Sequence, residues 1–75
     1  MRTVAKSNPS ALAERIKTLR EAAGYAQTDA ARELGVSRQT YIRYETGTSE
    51  PSFVDVCKLA ELFGVEIGAF KVESE

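Results

Sequence analysis

The chain has no histidine and no tryptophan, only two prolines, and one cysteine, Cys57, in 75 residues. Without histidine and with a lone thiol, the usual zinc sites lose their ligands, and no disulfide can close within the chain. Long hydrophobic runs are lacking too. Nothing approaches the roughly 18 apolar residues of a membrane span, and no basic-then-apolar leader precedes a small-residue cleavage site. These absences lead to the expectation of a cytoplasmic protein with no membrane segment, no metal and no cofactor. Enzymatic chemistry also lacks its parts: Cys57 falls on an apolar helix face, where a thiol is core rather than nucleophile, and no carboxylate pair sits in a recognisable cleft.

What is present is compact. A chain of this length buries about 60% of the surface its unfolded form exposes, which allows one domain with a simple core. The net charge of -1 conceals an uneven distribution. Residues 1–26 carry Arg2, Lys6, Arg15, Lys17 and Arg20 against Glu14 and Glu21, a balance of +3. Residues 27–49 balance to 0, with Arg32, Arg38 and Arg43 against Asp29, Glu33 and Glu45. Residues 50–75 carry Lys58 and Lys71 against Glu50, Asp55, Glu61, Glu66, Glu73 and Glu75, a balance of -4. One end can face a polyanion while the other faces solvent or a protein.

No stretch alternates with period two long enough to form a strand, and helical spacing recurs throughout, so the fold is expected to be all-α. Residues 1–7 form an expected tail, residues 8–71 the domain and 72–75 a second tail. Asn8-Pro9 provides a helix start. Leu12, Ile16, Leu19 and Ala23 follow as one face of a first helix that stops at Gly24. Gln27 to Leu34 is a second helix with Ala30, Ala31 and Leu34 inward, closed by Gly35. Ser37 caps a third, from Arg38 to Glu45, closed by Gly47. Pro51-Ser52 opens a fourth, from Phe53 to Phe63, with Phe53, Val56, Cys57, Ala60 and Phe63 on one side. A short fifth, weakened by Gly68, is expected around Val65, Ile67 and Phe70.

The three-residue break Gly35-Val36-Ser37 makes the second and third helices meet at a steep angle, as a helix-turn-helix does. Advancing about 100° per residue places Tyr41, Tyr44 and Glu45 on one side of the third helix and Gln39 and Arg43 on the other, with Ile42 and Thr40 on the flanks. A glutamine and an arginine displayed together suit base edges: Gln pairs with adenine, and Arg with the O6 and N7 of guanine. The plainer alternative is that both are ordinary surface residues and that Ile42 packs on a neighbour.

RIKTLREAAG in the first helix, QTDAARELGVSRQTYIRYETG across the break and EPSFVDVCKLAELFGV after it together resemble the Cro/repressor-type, or Xre-like, helix-turn-helix family of phage and bacterial transcription regulators. The resemblance covers roughly residues 10 to 70 and implies a compact five-helix, lambda-repressor-like DNA-binding domain. It places Gln27 where a residue touches a phosphate and braces the recognition helix, and Ala31 and Gly35 where small residues let the second and third helices approach. Arg20 and Glu45 match a pair that forms an internal ion bridge. Three positions depart from the pattern. Ala26 replaces the usual capping Ser, Thr or Asn. Ala30 is smaller than the usual Leu, and Tyr41 is larger than the usual Ile or Val, so the tyrosine ring is expected to fill the space left by Ala30, with its hydroxyl reaching the surface. Thr48-Ser49-Glu50 replaces basic residues, so fewer phosphates can be neutralised.

The function expected is that of a sequence-specific double-stranded-DNA-binding regulator, a repressor, in the cytoplasm of a bacterial or phage-infected cell and nucleoid-associated when bound. Arg38, Gln39, Thr40 and Arg43 would read bases, with Ile42 beside a thymine methyl. Gln27, Thr28, Ser37, Thr46 and Thr48 would position phosphates. A homodimer on a pseudo-palindrome is implied, with Leu62, Ile67 and Phe70 as candidate contacts; for Phe70 and Val65 the bland alternative is the monomer's own core. The rival class is an antitoxin-like or adaptor module that binds a partner protein through the acidic C-terminal part.

Overall fold

A computed structural model describes residues 11–71; the expected tails, the Asn8-Pro9 start and the basic residues Arg2 and Lys6 lie outside them. Four α-helices and a terminal 3₁₀ helix follow one another: α1 (Ala11–Ala23), α2 (Gln27–Leu34), α3 (Arg38–Thr46), α4 (Phe53–Phe63) and the 3₁₀ helix Ile67–Phe70. The described residues contain no strand. The fifth helical segment is therefore 3₁₀ rather than α, held by Ala69 N–H to the Glu66 carbonyl at 2.8 Å and Lys71 N–H to the Gly68 carbonyl at 3.0 Å.

The turn between α2 and α3 is built by backbone. Gly35 adopts φ 74°, the left-handed conformation an L side chain resists, and its N–H reaches the Arg32 carbonyl while the Val36 N–H reaches that of Ala31. A Cβ at Gly35 would meet nothing within 4 Å. The expectation that small size is needed there is thus corrected: the position calls for glycine because of its backbone angle, not for want of space. Ser37 then starts α3, its Oγ accepting the Thr40 N–H at 3.0 Å. Ala26 has the extended backbone of a helix N-cap but no side-chain acceptor to offer; Asp29 Oδ2 supplies half of a capping box by accepting the Ala26 N–H at 3.1 Å.

The core joins Ile16 of α1, Ala30, Ala31 and Leu34 of α2, Tyr41 and Tyr44 of α3, Leu59, Ala60 and Phe63 of α4, and Phe70. Helix α3 lies against α1 and α2, and α4 closes the other side of α2. Aromatic rings tie the ends together: Tyr25 and Phe63 lie 6.2 Å apart between centroids, and Phe63 and Phe70 6.4 Å.

Several inward faces are rotated from those expected. In α1 the buried residues are Ala13, Ile16 and Arg20, flanked by half-buried Leu12 and Leu19, while Ala23 is exposed at the helix end. In α4 the stripe centres on Leu59, Ala60 and Phe63, and Phe53, in the first turn, is 73% exposed. Phe70 is buried against Phe63 and offers no surface to a second chain, which removes it from the dimer contacts.

Candidate nucleic-acid interface

Helix α3 is divided lengthwise. Tyr41, Tyr44 and Glu45 are buried; Arg38, Gln39 and Arg43 are exposed; Thr40 and Ile42 are half-buried between the two sides. The side chains packed on the core do not include Ile42. The inward side is anchored to three other segments. Tyr41 lies edge-on to Tyr44 with centroids 6.2 Å apart, and the Tyr44 hydroxyl donates to Asp55 Oδ2 of α4 at 3.4 Å.

Glu45 is the deeper anchor. Arg20 donates to it twice, Nε to Oε2 at 2.6 Å and Nη2 to Oε1 at 3.2 Å. The Tyr41 hydroxyl donates to Oε2 at 2.6 Å, and Gln27 Nε2 donates to Oε1 at 3.1 Å. Arg20 also donates through Nη1 to the Tyr25 carbonyl at 2.7 Å, which ties the α1–α2 loop to the same node. Burial works to raise the Glu45 pKa, but hydrogen bonds from Arg20, Tyr41 and Gln27 outweigh it and hold the carboxyl below its ordinary value. Hydrogen bonding to Glu45 raises Arg20 despite the opposing cost of burial. Burial, reinforced by Glu45, raises Tyr41, so its hydroxyl is a dependable donor.

The Tyr41 hydroxyl therefore does not reach the surface. The residue is 0% exposed, as is Ala30, and its oxygen is turned to Glu45. Sequence reasoning placed the ring correctly within the core and misplaced its polar end. The signal was available: Tyr41 and Glu45 are four residues apart, hence neighbours on one helix face.

The Ser37, Thr40, Thr46 and Thr48 hydroxyls around the exposed edge are already engaged. Ser37 Oγ donates to Thr40 Oγ1 at 3.0 Å while accepting the Thr40 N–H. Thr46 donates to the Arg43 carbonyl at 3.3 Å and lies 3.1 Å from Thr48 Oγ1. Thr28, Thr46, Thr48 and Ser37 are exposed, and Gln27 is half-buried. The arrangement displays a cationic and amide edge free of carboxylates, bordered by hydroxyls whose protons can rotate outward.

The family described as Helix-turn-helix matches residues 16–70. The chain belongs to the Cro/repressor-type branch of that family. The family is one of DNA-binding transcription regulators. Among similar proteins is the cryptic phage CTXphi transcriptional repressor RstR of Vibrio cholerae, 38% identical over 61 residues, which are 81% of this chain and 55% of that protein. Another is the SPbeta prophage-derived HTH-type transcriptional regulator YonR of Bacillus subtilis, 42% identical over 52 residues, 69% of this chain and 48% of that one. The chain thus spans about half the length of these two curated relatives. In structure it is similar to the restriction-modification controller protein C.AhdI of Aeromonas hydrophila, with a TM-score of 0.74 and 28% identity over 81% of this chain and 92% of that one. Among the described residues, no helix is long and apolar enough to cross a membrane.

Proposed function

We propose that the chain is a sequence-specific double-stranded-DNA-binding regulator, a repressor, that inserts α3 into the major groove as a homodimer on a pseudo-palindromic operator. The observation that carries this reading is the division of α3: Arg38, Gln39 and Arg43 project from a helix whose opposite side is fixed by Tyr41, Tyr44 and Glu45. Arg38, Gln39, Thr40 and Arg43 read base edges, and Ile42 lies against a thymine methyl. Gln27, Thr28, Ser37, Thr46 and Thr48 contact phosphates, the Ser37 and Thr46 hydroxyls by turning their protons away from present partners. The similarity to a named phage repressor supports the direction of regulation. The protein acts in the cytoplasm, on the nucleoid when bound.

A single domain covers one half-site, so two copies with recognition helices about 34 Å apart, or a multiple, supply the specificity. With Phe70 buried, the apolar groups available to a second copy are Ile67, half-buried Leu62, and Phe53 and Val54, which are 73% and 60% exposed. The same exposed pair, close in sequence to Glu50 and Asp55, favours the second reading of an adaptor or antitoxin-like module bound to a protein.

Anisotropy titration of wild type and Arg43→Ala against a randomised DNA pool separates the two readings. Enrichment of a two-fold-related site by wild type, with preference relaxed at one position per half-site in Arg43→Ala, is expected. A stoichiometric protein partner with no DNA enrichment would select the second reading.

A further inference from the structure

Glu45 has two oxygens and four donor contacts, and only one donor residue stands at the rim. Oε2 receives Arg20 Nε and the Tyr41 hydroxyl, both at 2.6 Å; Oε1 receives Arg20 Nη2 at 3.2 Å and Gln27 Nε2 at 3.1 Å. Arg20, Tyr41 and Glu45 are buried, whereas Gln27, the first residue of α2, is half-exposed. A carboxylate beside a primary amide admits one amide orientation, because the carbonyl oxygen would be repelled. One Nε2 proton of Gln27 is thereby held inward, and the second proton is left to a group outside the fold.

We propose that Tyr41 is a positioning residue for DNA contact: its hydroxyl holds Glu45 so that Gln27 presents its second amide proton to a phosphate. This rests on the regulator reading above. A phenylalanine would supply the same ring, so what the hydroxyl adds is a donor for Oε2. Without it, that oxygen keeps an unmatched lone pair in the core, which is costly. Arg20 cannot swing to compensate, since its Nη1 is also held by the Tyr25 carbonyl at 2.7 Å. The donor with freedom to move is the Gln27 amide, which would be drawn inward, away from a phosphate.

The test is a double-mutant cycle on the selected operator at one salt concentration, using wild type, Tyr41→Phe, Gln27→Ala and the double variant, each checked by thermal melting. Tyr41→Phe alone is expected to weaken binding about fivefold, the scale of one hydrogen bond. In the Gln27→Ala background the same change is expected to do nothing further. Losses that multiply, a Tyr41→Phe protein that binds like wild type, or a Gln27→Ala protein that does so, would each overturn the proposal. A second measurement needs no DNA. In the free protein, the Gln27 amide proton held by Glu45 should move further downfield in Tyr41→Phe, as the amide is drawn toward the freed oxygen, and unchanged resonances would overturn the proposal as well. Wild type that binds no duplex would end the regulator reading, while the amide spectrum would still decide whether Tyr41 orients Gln27.

Discussion

Arg20 and Glu45, 25 residues apart in the chain, meet in a two-point contact at 2.6 and 3.2 Å that closes α1 onto the last turn of α3. Both residues are less than a tenth exposed, so neither charge has water to fall back on. Removing one partner strands the other. Arg20→Met is expected to destabilise by about 3–5 kcal/mol in urea titrations. The double change Arg20→Met with Glu45→Leu should cost less than that single change, because no charge is left buried; a double loss equal to the sum of the two singles would contradict this account.

The same carboxylate sets an acid limit. Its folded-state pKa lies below the ordinary 4.5, so its contribution to stability is complete above that value and disappears as pH falls from 4.5 through the depressed folded value. Melting temperatures should be flat with respect to Glu45 near neutrality and drop below pH 4.5. Glu45→Gln should start lower and show a shallower acid drop. Parallel acid profiles for the two proteins would remove Glu45 as the cause.

Ala26 offers an improvement. Its backbone, at φ -80° and ψ 161°, is that of an N-cap, and Asp29 already accepts its N–H. Ala26→Ser would complete the reciprocal pair and is expected to stabilise by about 1 kcal/mol. Chemical denaturation with unchanged m-value checks this, and a neutral or negative result would show that the α2 N–H groups are already satisfied.

Phe53 and Phe70 should respond in opposite ways to truncation. Phe70, at 4% exposure and stacked near Phe63, is expected to lose about 3–5 kcal/mol on change to Ala. Phe53, at 73%, should change stability by no more than about 0.5 kcal/mol. A clear stability loss for Phe53→Ala that grows with protein concentration would reveal it as a contact between copies.

At Gly35 the obstacle to substitution is the backbone alone. Gly35→Ala is expected to cost about 1–2 kcal/mol for a left-handed residue, and Gly35→Asn less. Equal losses for the two would mean that side-chain volume matters despite the open surroundings.

Much of this arrangement is legible in the chain itself. The bounds of α2 and α4, the Ser37 cap and the inward trio Tyr41, Tyr44 and Glu45 all follow from capping chemistry and helical period. Period is less informative at helix ends. Phe53 and Ala23 keep the right spacing but lie in terminal turns, where spacing continues and packing does not. Leu59, wholly buried, is not singled out by spacing, because α4 has apolar residues over more than one face and period cannot choose among them. The Tyr41 hydroxyl differs: spacing of four residues makes Glu45 available as its acceptor, but spacing alone does not show that this carboxylate stays in the core. Only the approach of Arg20 to Glu45 makes the interior polar enough to receive it.

The lengthwise division of α3 has an evolutionary consequence. Positions 41, 44 and 45 hold the helix in place, and positions 38, 39 and 43 are in no residue shared with that task. Mutation can therefore rewrite the outward set without disturbing the scaffold, and, on the base-reading role proposed for that set, descendants of one such gene could acquire new target sequences while inheriting the same skeleton.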